Sequence, residues 1–152
     1  MLTLLNPAVT RQLLDRLGRL RPDTPRLWGR MTAHQMVCHL SDSYRLGLGE
    51  RPVTDASGLF QRTLVKAIAL RAPLRWPRGV RTRPESDQEI GGTRPFAFET
   101  DVATLAALLN RFAHPQRDFA FGVHPIFGRM SEWEWMRWGY LHADHHLRQF
   151  GL

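Results

Sequence analysis

Apolar residues recur every three or four positions in five segments of this chain, the period of a helix that turns one face to a core. Leu13, Leu14, Leu17 and Leu20 mark the first, over 7–20. Asn6 stands there as the N-cap, and Pro7 takes the first helical position, where a backbone N–H has no helical partner anyway. Thr32 reads as the cap of a second helix from Ala33 to about Leu48, weakened and then ended by Gly47 and Gly49. A third, over 57–71, places Leu59, Phe60, Leu64, Val65 and Ile68 on one side and is stopped by Pro73. The fourth, capped by Thr100 or Asp101, carries Val102, Leu105, Leu108, Leu109 and Phe112 as a core stripe. Ser131 with Glu134 three residues on is a capping box, the sharpest helix start in the chain. The helix it opens runs from Glu132 to about Phe150. Trp133, Met136, Tyr140 and Leu147 lie on one of its buried lines, and Trp135, Trp138, His142, His146 and Gln149 on another.

Between the third and fourth helices, residues 72–95 are rich in Pro, Gly and Arg and keep no period, so this connection either walls a cleft or wraps the helices. Strand-like alternation is confined to Phe96-Ala97-Phe98, and no internal repeat occurs. The expected fold is therefore all-α: a four-helix bundle with an extra helical segment and long loops. Its 152 residues suit a single domain, 1–152. No apolar run approaches the roughly 20 residues of a membrane span, so no membrane partner is expected. The segment Met1 to Pro7 lacks a basic leader and a cleavage site, which makes a cytoplasmic address the expectation.

Composition narrows the chemistry. With 43% hydrophobic and 23% charged residues the chain has the balance of a globular protein. Its one cysteine, Cys38, rules out an intramolecular disulfide and a thiolate-rich zinc site, and reads as a small buried hydrophobe. Any metal is then held by nitrogen and oxygen. A net charge of +7 raises the question of nucleic acid. Every basic residue except Lys66 is an arginine, however, and they scatter from Arg11 to Arg148. The one concentration, Arg71, Arg75, Arg78, Arg81 and Arg83, lies among Pro73, Pro77, Gly79 and Pro84. It reads as a solvated basic loop, so nucleic acid is not the expected partner.

The histidines carry the remaining chemistry. His142 and His146 are four apart, so on a helix they share one face within reach of a single ion. His39 sits mid-helix among core-facing residues, where alone it reads as a hydrogen-bonded core histidine. Bundles build metal sites from inward-facing side chains on adjacent helices, and three neutral imidazoles with an open position suit zinc, nickel or ferrous iron. No H-E-x-x-H, G-x-S-x-G or P-loop occurs, which removes zinc-protease, serine-hydrolase and nucleotide-hydrolase readings as first choices.

Three stretches, Trp28-Gly29-Arg30-Met31-Thr32-Ala33-His34-Gln35-Met36-Val37-Cys38-His39-Leu40, His124-Pro125-Ile126-Phe127-Gly128 and His142-Ala143-Asp144-His145-His146-Leu147-Arg148-Gln149, together resemble the DinB/YfiT-like superfamily, and more narrowly an uncharacterised subfamily of it. The resemblance spans nearly the whole chain and is least informative in the Arg- and Pro-rich middle. It implies a four-helix core, often a homodimer, with a divalent metal ion held by one histidine of the second helix and an H-x-x-x-H pair near the C-terminus: His39, His142 and His146. His145 also shares a face with His142, but the superfamily pattern prefers His146 and leaves His145 a neighbouring polar residue. Gln149 matches a glutamine that commonly follows the pair, and either supports a ligand or binds helix to helix. His34 and His124 read as a helix-start and a loop residue.

The function the resemblance implies is a metal-dependent enzyme acting on a small molecule, either a transferase that uses a low-molecular-weight thiol or a hydrolase. The alternative is a non-catalytic metal-binding or stress-associated helical bundle.

Overall fold

A computed structural model describes residues 1–80 and 82–152; Arg81, one of the basic loop's arginines, lies outside the described residues. Among the described residues five α-helices form: α1 (Pro7–Leu17), α2 (Ala33–Gly47), α3 (Lys66–Arg71), α4 (Phe98–Ala113) and α5 (Glu132–Gln149). A π-helical turn, Gln61–Val65, leads into α3, and a 3-10 turn, Pro84–Ser86, interrupts the long connection. Among the described residues no strand forms; one antiparallel bridge pairs His124 with Gly128. The protein is all-α, and among the described residues no helix is long and apolar enough to cross a membrane.

Local chemistry explains three of the helix starts. Asn6 Oδ1 accepts from Ala8 N at 2.9 Å, satisfying an N–H that has no helical acceptor. Thr32 and Gln35 form a reciprocal capping box at α2, with Gln35 N donating to Thr32 Oγ1 at 3.1 Å and Thr32 N donating to Gln35 Oε1 at 2.9 Å. Ser131 and Glu134 repeat the arrangement at α5. The fourth helix departs from expectation: it begins at Phe98, three residues before Asp101, and Ala97 at its cap makes no side-chain bond. The Asp101 carboxylate turns back across the helix start instead and accepts from Phe96 N at 3.0 Å.

Helix α2 packs most extensively on α4 and also on α5, while α1 lies against both α4 and α5. Leu13, Leu17, Met36, Leu40, Tyr44, Leu105, Leu109, Phe112, Trp135, Met136 and Leu147 fill the space between them. A fully buried leucine or methionine stabilises by about 1.5–3 kcal/mol relative to an exposed one, so this core is the main favourable contribution. Gly139 sets how closely α5 approaches: a Cβ there would lie 2.7 Å from Leu4 Cδ1, and its carbonyl accepts from the Tyr44 hydroxyl at 2.9 Å.

The third segment is the main correction to the sequence reading. Its expected core side is turned outward, with Leu59 80%, Phe60 59%, Leu64 50% and Ile68 51% exposed, while Val65, Ala69 and Leu70 pack inward. The helix docks on α5 along its other edge, through Lys66 Nζ to Glu134 Oε2 at 3.4 Å and Arg71 Nη1 to Glu134 Oε1 at 3.6 Å. Burial of Leu70 carries more of this docking than the two ion pairs, which lie at its rim.

Candidate metal centre

His39 from the middle of α2 and His142 and His146 from the last turns of α5 bring their Nε2 atoms together. His142 Nε2 lies 3.2 Å from His39 Nε2 and 3.1 Å from His146 Nε2, and all three atoms are within 4.8 Å of one another. Imidazole nitrogens about 2.0–2.1 Å from a tetrahedral ion stand roughly 3.3 Å apart, so the spacing fits a shared ion. The i, i+4 separation on α5 brings its two rings to 4.9 Å, tilted 55° to one another, and the α2–α5 packing supplies the third.

The outer nitrogens fix the tautomers. His39 Nδ1 lies 2.9 Å from the Ser86 carbonyl oxygen, which can only accept, so the proton is on Nδ1 and Nε2 carries a bare lone pair. His146 Nδ1 lies 3.0 Å from Gln149 Oε1. The Gln149 amide is itself oriented, because its Nε2 donates to the Trp28 carbonyl at 2.8 Å. His146 therefore also holds its proton on Nδ1. Two lone pairs then point at His142 Nε2, and a single proton there can satisfy only one of them. A cation at the centre satisfies all three.

Burial keeps these rings neutral. It lowers the pKa of His39 below the ordinary histidine value, against the opposing pull of the Ser86 carbonyl, Asp42 and Asp87, and those of His142 and His146 well below it, where repulsion from neighbouring rings adds to the effect. Neutral imidazole is the ligand form, so the environment that disfavours a proton leaves the lone pairs open to a metal.

The long connection supports the centre. Asp42, fully buried and less than one turn along α2 from His39, accepts from Thr93 N at 2.8 Å, Thr93 Oγ1 at 2.6 Å and Gln88 Nε2 at 3.2 Å, and pairs with Arg51 at 3.0 Å. These bonds clamp residues 84–93 on α2 and deliver the Ser86 carbonyl to His39. Further up the same connection, the Trp76 ring lies 6.0 Å from His142 and 6.3 Å from His145, its indole N–H held by the Ala69 carbonyl at 2.9 Å. Ser86, Asp42 and Trp76 are absent from the sequence reading. A backbone carbonyl leaves no sequence signal, although Asp42 in the core-like middle of α2 does leave one.

The remaining histidines fall elsewhere. His145 turns toward Trp28 and Trp76 rather than the Nε2 triangle. His34 Nε2 sits 2.7 Å from Asp101 Oδ2, with Cys38 Sγ 3.8 Å from the same oxygen, a second group of donors that ties α2 to the start of α4. Cys38 is pushed up to about 12, by burial first and then by Asp101 and Asp42, so its thiol stays protonated. His124 is buried beside Phe127 and Trp138 and accepts from Ile126 N and Phe127 N through Nδ1.

Fold and site together define a class: an all-helical protein with a cluster of three neutral imidazoles between two helices. Within that class the chain belongs to the family described as "Protein of unknown function (DUF1569)", whose model matches residues 9–151. Neither a curated protein nor a solved structure matches it.

Proposed function

We propose that His39, His142 and His146 hold one divalent metal ion, zinc, nickel or ferrous iron, in a four-helix bundle of DinB/YfiT-like type, and that the protein is a metal-dependent enzyme. The observation that carries this reading is the pair of pinned tautomers: Ser86 and Gln149 direct two Nε2 lone pairs at a third imidazole within 3.1–3.2 Å. Such outer partners orient ligands and raise their basicity. Three neutral ligands leave the full charge of a divalent ion uncompensated, which supplies a Lewis acid able to favour a thiolate over a thiol or a hydroxide over water. The reactions in view are thiol-dependent S-transfer and hydrolysis, on a small-molecule substrate in the cytoplasm. Within this centre Ser86 and Gln149 hold the two proton positions, and Trp76 covers His142 and excludes bulk water from one side of it.

The test is elemental analysis of protein purified without a metal-affinity tag, followed by rate measurements with thiols and electrophiles or with hydrolysable esters and amides. One equivalent of metal, lost on His142→Ala together with turnover, supports the enzyme. Metal retained without turnover leaves a non-catalytic metal-binding bundle. No metal in any preparation overturns the reading.

A further inference from the structure

Beside the imidazole cluster stands a group of side chains of which the metal reading uses only Trp76, as cover for His142. The Arg78 guanidinium lies over the Trp28 ring, 4.2 Å from its centroid. The Trp28 ring meets His145 edge-on at 6.0 Å, and Trp76 leans over both His145 and His142. His145 Nδ1 is buried with no hydrogen-bond partner, the only histidine nitrogen so placed among the described residues.

The charges at this mouth are lopsided. Asp144, the acid one helical position before His145, is engaged by Arg16 and Arg148, each at 2.8 Å. Among the described residues no carboxylate lies within salt-bridge range of Arg78, whose guanidinium rests on the Trp28 ring with its N–H donors uncommitted to any acid. Two indole rings beside a free guanidinium match a ligand with a flat apolar body and an anionic end.

We propose that Arg78, Trp28, Trp76 and His145 form the recognition wall of the site for a small carboxylate with a flat apolar body. Arg78 takes the carboxylate through paired N–H bonds and the Trp76 ring lies along the body, while the His145 ring backs the wall from behind. The proposal rests on the metal reading above, because it places the rest of the substrate at the three imidazoles.

Benzoate and its neutral isostere benzamide are the probes. Their binding to the full chain, stripped of metal by a chelator and then reloaded with zinc, is followed through the indole N–H NMR signals of Trp28 and Trp76. In the metal-free chain, where no ion can attract a carboxylate, benzoate is expected to shift both signals saturably and to bind about tenfold more tightly than benzamide. Arg78→Gln, a change at an exposed position, is expected to bring the two to equal affinity. Equal binding of benzoate and benzamide, an unchanged ratio in Arg78→Gln, or no saturable shift overturns the wall. If zinc is not retained but the Arg78-dependent preference is found, the metal reading alone fails. If zinc is retained without any preference, the wall alone fails.

Discussion

The Ser86 carbonyl accepts a hydrogen bond from His39 Nδ1 at 2.9 Å, joining the middle of α2 to a 3-10 turn 47 positions later in the chain. One residue of an irregular, arginine-rich connection thereby decides which nitrogen of a buried histidine carries its proton. Gln149 has the same effect on His146 from within α5, across 3.0 Å.

His39→Ala, His142→Ala and His146→Ala should each remove a coordinating nitrogen and reduce zinc affinity by more than about 100-fold, the upper end of what loss of an outer partner costs. His145→Ala, whose ring faces Trp28 and Trp76, should change it far less. Competition with a chromophoric chelator measures all four. Equal loss at His145 and none at His146 would reassign the ligand.

Asp42→Asn should destabilise the fold by about 3 kcal/mol, because it takes the charge from a fully buried carboxylate that faces Arg51 and Arg45. The clamp on residues 84–93 loosens with it, so the Ser86 carbonyl is less firmly held and zinc affinity should fall by roughly 10–100-fold. Urea unfolding gives the first quantity and zinc competition the second. A stability loss with unchanged zinc affinity would separate the clamp from the centre.

Gly29→Ala pairs naturally with Gly79→Ala. Both glycines hold positive φ, +79 and +80, and an alanine in that region costs about 1–2 kcal/mol at either place. At Gly29 the new Cβ would also stand 2.5 Å from Gln149 Nε2, whereas at Gly79 it meets nothing within 4 Å. The expected outcome is destabilisation in thermal melts for both, larger for Gly29→Ala because the Gln149 amide must also give way, with weakened zinc binding, by about tenfold, only for Gly29→Ala.

The metal-free chain should lose stability as pH falls below about 6.5. His124 has its pKa lowered by burial from 6.5 to about 3, so between those values the unfolded chain binds a proton that the folded chain refuses. Its contribution is intact above pH 6.5 and declines by at most about 1.4 kcal/mol per pH unit down to about pH 3. His39, His142 and His146 are lowered in the same direction and steepen the fall. Urea midpoints measured from pH 7.5 to 4.5 check this, and His124→Phe should flatten the slope. A stability that rises on acidification would contradict the neutral buried state.

Caps and i, i+4 stripes are interactions among residues a few positions apart, so the all-helical class, four of the helices, the Asn6 and Thr32 caps and the box of Ser131 with Glu134 were legible in the chain alone, while the Gln35 half of the box at α2 came with the structure. His39, His142 and His146 were legible too, two of them by local spacing and the third through a resemblance. Pairing across long separations belongs to the tertiary structure. Leu59, Phe60, Leu64 and Ile68 form an apolar side that any periodicity assigns to the core, yet the segment docks by Val65, Ala69 and Leu70, with Lys66 and Arg71 on Glu134 at the rim, and that side faces outward. Asp101 looked like a cap and became a tie between α4, Phe96 and His34. The carbonyl of Ser86 and the ring of Trp76 meet the histidines only after α2, α5 and the long connection have packed. Backbone carbonyls are identical at every residue, and orientation across 47 positions has no period to read.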